Sequence, residues 1–326
     1  MNPPLEEAGA SAVPEPPRAI GDPPVKPVFI NLPSGKPLTS KEASSLIRAT
    51  GSPLVLLAGE VGSGKTTLLA SLHDAFQFEA RGFGGYIAAG SSTLLGFEER
   101  CFDSRAASGA GEPHTIRTNF DDGHLFYHLR LRDHELKQPA KDIVFADMSG
   151  EFYERALDSA DEMRELTIIT RADHFVLLVD ASKLQANKNR AHTRATALML
   201  MRRCFEEKML NKGSKVDILL TKWDLVLARL GEEDAGTFLA GYLRFFQDEY
   251  AQKVRRVTVI PVAARPYSES RLPLGYGLGA LLHKWLQEPR ALFEQADRQM
   301  PVPALTSSFD RFALVEAPQL YEVPNG

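Results

Sequence analysis

Residues 54–70 read Leu54-Val55-Leu56-Leu57-Ala58, then Gly59-Glu60-Val61-Gly62-Ser63-Gly64-Lys65-Thr66-Thr67, then Leu68-Leu69-Ala70. The middle segment satisfies G-x-x-x-x-G-K-[ST], and both flanks supply the context that the pattern requires. The apolar run before it predicts a buried strand. Leu68, Leu69 and Leu72 after it suit the buried face of a helix. Gly59, Gly62 and Gly64 let the backbone turn tightly, so that the N–H groups of Gly59 to Thr67 face phosphate oxygens. The helix starting near Gly64 aims its unsatisfied N–H groups and positive dipole end at the same anion. Lys65 adds a point charge for the β and γ phosphates, and Thr66 a hydroxyl for Mg²⁺. A nucleoside triphosphate is the expected ligand.

Three further loops extend the pattern. Asp147-Met148-Ser149-Gly150 closes the apolar strand that starts at Ile143, 82 positions after Lys65. A carboxylate at the end of a core strand suits Mg²⁺, and Gly150 leaves room for its N–H to approach a γ-phosphate. Thr221-Lys222-Trp223-Asp224 closes another strand. Asp224 there can accept from guanine N1–H and the 2-amino group, a donor pair that adenine lacks, and the stem of Lys222 can lie across the base. Ala263-Ala264-Arg265, after the last strand, can offer a backbone N–H to guanine O6.

In this order, GEVGSGKT, DMSG, TKWD and AAR resemble a Ras-like GTPase of the TRAFAC class, over roughly Leu54 to Gln287. The stretches PSGKPLTSKEA (33–43), GSSTLLGFEERCFDSR (90–105) and PHTIRT (113–118) resemble, more narrowly, the bacterial double-GTPase family. The resemblance implies a P-loop NTPase three-layer fold, GTP and GDP as ligands, Mg²⁺ as cofactor, and membership of a multi-gene conflict or defence system. It also implies a Mg²⁺-binding threonine in a first switch. Thr115 and Thr118 both qualify, whereas Thr93 lies too far upstream. The sequence departs from the family at Glu151, where Ras-like enzymes commonly place a glutamine that orients water. An ionised carboxylate only accepts hydrogen bonds, so hydrolysis is expected to be slow without help. Arg117 is the first choice for a catalytic cation in cis, and Arg105 the second.

The remaining chain alternates strands and helices: strands at 124–132, 142–146, 174–180, 216–220 and 257–262, helices at 191–207, 232–254 and 278–286. This predicts an α/β sheet, mostly parallel, with helices on both faces and one antiparallel strand from a 124–146 hairpin. Thr39-Ser40-Lys41-Glu42 is a capping box that opens a helix closed by Gly51. A short strand is expected at 28–30, a helix at 93–105, helical structure in the charged segment 151–171, and an irregular segment from 76 to 122 apart from that 93–105 helix. Residues 1–27 carry eight prolines and are expected to be a disordered leader. Residues 28–289 are expected to form the GTPase domain and 290–326 a tail.

Composition narrows the function classes. The 326 residues are 44% apolar with net charge −4. No apolar run approaches the roughly 20 residues that span a bilayer. The acidic balance disfavours general nucleic-acid binding. Six basic residues between Asp180 and Glu206 read as a solvated helix face. Cys101 and Cys204 show no CxxC and no Cys/His spacing, so neither disulfides nor zinc are implied, and a reducing cytosol is the default. Protein partners would read the switch segments around Thr115–Thr118 and after Gly150. A GTP-dependent switch is the leading reading. A scaffold that hydrolyses little is the runner-up, and an ATPase or kinase would require TKWD to be accidental.

Overall fold

A computed structural model describes residues 34–78, 82–102, 125–135, 138–159 and 168–287. The expectations for the leader, the strand at 28–30, the tail, Arg105, Thr115, Arg117 and Thr118 lie outside these residues.

The capping box forms as read. Thr39 N-caps α1 (Ser40–Thr50), Glu42 returns the bond to the Thr39 N–H at 2.8 Å, and Gly51 ends the helix at φ 68°. Then come β1 (Leu54–Ala58), α2 (Lys65–Phe78), β2 (Tyr86–Gly90), α3 (Leu94–Phe102), β3 (Leu125–Asp133) and β4 (Lys141–Asp147). After these follow α4 (Gly150–Asp158), α5 (Ile168–Arg171), β5 (His174–Asp180), α6 (Ala181–Gln185) and α7 (Asn187–Glu206). The series ends with β6 (Lys215–Thr221), α8 (Trp223–Tyr250), β7 (Arg256–Pro261) and α9 (Leu278–Gln287).

The strands make one seven-stranded sheet ordered β2-β3-β4-β1-β5-β6-β7. All neighbours are parallel except β3, which is antiparallel to both β2 and β4. β1 is buried along its whole length because both faces are covered. Leu54, Leu56 and Ala58 pack with residues from α1, α4, α6, α7 and α8, while Val55 and Leu57 pack with α2, α3 and α9. That two-residue alternation is what places helices on both faces. The three-layer α/β expectation, with one antiparallel strand, therefore holds.

Two local differences have physical causes. The segment containing β2 is expected to be irregular; it forms a five-residue edge strand, Tyr86-Ile87-Ala88-Ala89-Gly90, whose last three residues are small and exposed, so it carries little alternating signal. Helix α8 begins at Trp223 rather than Glu232, but Gly231 (φ 76°, ψ 175°) breaks its geometry at the expected boundary.

The parallel strands share one carboxyl-terminal edge, and the four motif loops follow β1, β4, β6 and β7 there. At the other end of the sheet, buried Asp217 of β6 accepts from Lys284 Nζ (2.6 Å), Thr258 Oγ1 (2.5 Å) and Trp285 Nε1 (3.0 Å). His174 of β5, fully buried, places Nδ1 3.6 Å from the same carboxylate.

Candidate functional site

The loop after β1 is tied down from two sides. Gly59 adopts φ 144°, and a Cβ there would sit 2.5 Å from the Leu178 carbonyl oxygen of β5, so only glycine fits. Thr221 Oγ1 donates to the Ser63 carbonyl oxygen (2.8 Å) and lies 3.2 Å from that of Val179, which joins the loop to the end of β6. Lys65, at the start of α2, donates from Nζ to the carbonyl oxygens of Gly59 (2.6 Å) and Glu60 (3.0 Å). Its ammonium also lies 6.0 Å from the ring centroid of Tyr153, a buried residue of α4.

Asp147 ends β4 with its side chain fully buried. Thr66 Oγ1 lies 3.4 Å from Asp147 Oδ2. Arg100 of α3 bonds the Tyr127 hydroxyl through Nε and brings one terminal nitrogen to 4.0 Å from Asp147 Oδ2. Burial pushes the Tyr127 phenol up to about 12, against the pull of that arginine. Ser149 caps α4 by accepting from the Glu151 N–H at 3.2 Å, and Glu151 itself is exposed. Gly150 abuts the loop after β1: a Cβ on it would lie 2.5 Å from the Val61 nitrogen.

The loops after β6 and β7 form the other end. Lys222 takes a left-handed conformation (φ 55°, ψ 40°), which turns its stem along the cavity, and its Nζ bonds Asp180 Oδ2 at 2.6 Å. Asp224 is 6% exposed, and its Oδ2 accepts from the Tyr267 backbone N–H at 3.1 Å. Ala264 lines the cavity. The Ala263 N–H instead donates to the Tyr276 carbonyl oxygen at 3.1 Å. Arg265 pairs with Asp74 of α2.

These groups surround one cavity of about 670 Å³. Val61, Gly62, Gly64, Lys65, Thr66 and Thr67 line one end, Met148 to Gly150 the side, and Thr221, Lys222, Asp224, Leu225, Ala264 and Tyr267 the other end. That volume falls in the range of small-molecule sites. Cationic and N–H groups gather at one end, and a carboxylate beside apolar stems at the other. Gly59, Glu60 and Ser63 shape the loop from behind. Thr66 and Asp147 present hard oxygen donors from adjacent elements, which suits Mg²⁺.

The expected loops of the described residues thus converge on one cavity. Thr93 is fully buried; its Oγ1 accepts from the His128 N–H at 2.9 Å, which makes it a staple between α3 and β3. Four contributors were not read from sequence: Asp180, Tyr153, Tyr267 and Arg100. Asp180 carried a signal, as a carboxylate closing a buried strand; the other three became visible only through packing. The six basic residues noted near α7 are partly used by the fold: Arg190 bonds the carbonyl oxygens of Leu184 and Gln185, and Arg194 lies over Phe245 at 4.2 Å.

A family model described as Double-GTPase 2 matches residues 54–286. No curated relative matches in sequence. Among solved structures, the signal recognition particle receptor SRb-GTP/SRX complex from Chaetomium thermophilum is similar at 14% identity, over 72% of this chain and 96% of that one, with a TM-score of 0.38. The GTP-bound Ski7 GTPase-like domain of S. cerevisiae is similar at 16% identity, over 76% and 53%, with a TM-score of 0.39. Nucleolar GTP-binding protein 1 from Plasmodium falciparum is similar at 13% identity, over 72% and 82%, with a TM-score of 0.33.

Proposed function

The chain belongs to the Double-GTPase 2 family, and from that premise we propose that it is a Mg²⁺-dependent GTP-binding switch that hydrolyses GTP to GDP and phosphate. The observation that carries this reading is the single cavity, with Lys65 and Thr66 at one end and Lys222 and Asp224 at the other. In the proposal, Lys65 exchanges the Gly59 and Glu60 carbonyls for β- and γ-phosphate oxygens. Gly59 to Thr67 supply backbone N–H donors, and Gly150 a further one at the γ-phosphate. Asp224 accepts from the guanine edge, Lys222 and Thr221 hold the base and the loop, and Ala264, beside Ala263, faces O6.

Thr66 and Asp147 would hold the Mg²⁺, with Thr115 or Thr118 joining them. When bound, the ion neutralises charge on the β and γ phosphates. Glu151 lies in the first turn of α4, directly after Gly150. Its carboxylate repels phosphate oxygens, so turnover is slow until a cation, from Arg117 or from a partner, offsets the developing charge. The ordering of the segments around Thr115–Thr118 and after Gly150 by the loaded nucleotide is what partner proteins would read. The family resemblance supports a place in a bacterial conflict or defence system.

A scaffold that acts through its loaded state and hydrolyses little is the second reading, and Glu151 is the feature that favours it. Competitive titration of GTP, GDP and ATP, followed by single-turnover hydrolysis, tests both. Equal affinity for GTP and ATP would sink the guanine reading. Tight GTP binding without turnover, even with partners present, would leave the scaffold.

A further inference from the structure

We propose that His73, Asp74 and Cys101 form a zinc-binding site between α2 and α3. Outside the nucleotide cavity, these three side chains bring nitrogen, oxygen and sulfur donors within 4.8 Å of one another. They are 3%, 2% and 0% exposed. His73 and Asp74 are adjacent on α2, and Cys101 comes from α3, 28 positions along the chain from His73. Sequence spacing therefore gives no zinc signature; the packing of two helices creates the cluster.

The sulfur–nitrogen separation suits a zinc ion bound by three side chains and a water. Cys101 Sγ and His73 Nδ1 are 3.8 Å apart. A zinc ion at ~2.3 Å from sulfur and ~2.0 Å from nitrogen holds two such donors about 3.6 Å apart. The other ring nitrogen of His73 is held as well. Its Nε2 faces Glu98, whose Oε1 lies 3.6 Å away. A carboxylate on the far nitrogen is the usual outer support of a metal-bound histidine, since it fixes the tautomer that leaves Nδ1 to the metal. Stacking of the imidazole on Phe97, with centroids 5.1 Å apart, fixes the ring plane.

The donor set selects the metal. A thiolate sulfur excludes Mg²⁺ and Ca²⁺, and a mixed sulfur, nitrogen and oxygen set is the usual company of zinc. Asp74 also pairs with Arg265, and a carboxylate can serve a guanidinium with one oxygen and a cation with the other. Charge closes within the cluster: the dication and Arg265 are balanced by the Cys101 thiolate, Asp74 and Glu98. Binding requires Cys101 to lose its thiol proton, which passes to solvent, together with its contact to the Ala70 carbonyl oxygen at 3.5 Å. The ion would clamp the phosphate-loop helix to α3. It would also bear, through Asp74, on Arg265 in the wall of the nucleotide cavity.

The test uses the full chain, stripped with chelator and titrated with Co²⁺ and then with Zn²⁺. The expected result is one equivalent of Co²⁺ with thiolate-to-cobalt charge-transfer absorption, displaced by Zn²⁺, and a melting temperature raised by Zn²⁺. Cys101→Ser and His73→Gln should abolish the absorption and weaken Zn²⁺ at least 100-fold, while Cys204→Ala retains both. Absence of a charge-transfer band in the wild-type chain overturns the proposal, whether or not the variants fold. A band that survives Cys101→Ser overturns it too. None of these readouts depends on nucleotide.

Discussion

Lys222 of the loop after β6 and Asp180 at the end of β5 are joined by a 2.6 Å bond between Nζ and Oδ2. The same carboxylate, through Oδ1, caps α6 by accepting from the N–H groups of Ser182 (3.0 Å) and Lys183 (3.3 Å). Burial alone would raise the Asp180 pKa, but the bonds from Lys222 and Ser182 outweigh it and hold the carboxyl below its ordinary value. Asn keeps the cap and removes the charge. Asp180→Asn should therefore weaken GDP and GTP equally, by roughly 1–2 kcal/mol or about 5- to 30-fold in Kd. Calorimetry with both nucleotides checks this, and unchanged affinity would show that Lys222 is positioned by its backbone alone.

At the phosphate end, Lys65→Ala should abolish measurable triphosphate affinity, whereas Thr66→Ala should preserve nucleotide binding and weaken its Mg²⁺ dependence. Lys65 also bonds two loop carbonyls, so a melting curve belongs beside each titration. Net hydrogen bonds of about 1 kcal/mol each predict a modest loss of stability, not unfolding. Mg²⁺-dependent affinity unchanged in both variants would contradict the assignment.

Asp224→Ala should cost guanine nucleotides about 1.5–3 kcal/mol per lost charge-assisted bond and leave ATP unaffected. It also removes the acceptor for the Tyr267 N–H, so the loop after β7 loses its tether. A competition assay with ATP separates the two effects. Loss of selectivity marks the base contact, and a parallel loss for both nucleotides marks the tether.

Single-turnover hydrolysis should be slow in the wild type, slower in Arg117→Ala, and faster in Glu151→Gln, because a neutral amide both donates and accepts. An arginine acting at the transition state is worth roughly 10³–10⁵ in rate. If Arg117→Ala is silent, Arg105→Ala is the next variant. Rapid wild-type turnover indifferent to all three changes would show that other residues do the chemistry.

Acid should destabilise the fold from its far end. Burial lowers the His174 pKa below its ordinary 6.5, so the folded state refuses a proton that the unfolded chain accepts. Stability is thus full above pH 6.5 and falls as pH drops below it. Asp217 acts in the same direction further down. Burial opposes its charge, but His174, Lys284 and Thr258 overcome that and hold it far below 3.8, so its contribution is lost only in strong acid. Urea melts between pH 8 and pH 5 should show a decline that flattens in His174→Gln. Asp217→Asn should cost about 1–3 kcal/mol at neutral pH, because it leaves the half-buried Lys284 ammonium without its carboxylate.

Much of the site was legible in the sequence because its chemistry sits in contiguous loops at strand ends. Gly59 to Thr67, Asp147 to Gly150, Thr221 to Asp224 and the 263–265 turn each follow a strand and carry a residue type suited to phosphate, metal or base. The fold was legible for the same reason: Ile143 to Ala146 and His174 to Val179 are buried on both faces and read as apolar runs. Tyr86 to Gly90 escaped because an edge strand needs no apolar alternation. Tyr153, Arg100 and the His73–Cys101 pair escaped because their partners are distant in sequence, and neither periodicity nor spacing encodes a contact between two helices. Residue choice at Ala263 and Ala264 also needed the structure. Two identical side chains differ only in where their backbone N–H groups point.

Gly150 has its missing Cβ pressed against the Val61 nitrogen. The end of β4 and the loop after β1 are therefore mechanically one part, although the sequence separates them by more than eighty positions. A single methyl group at residue 150 would act as a wedge under residue 61, and its symptom would be lost phosphate binding. In a genetic screen, defects in one motif would masquerade as defects in the other, and a suppressor of a change at Gly150 should be sought first at Glu60 and Val61.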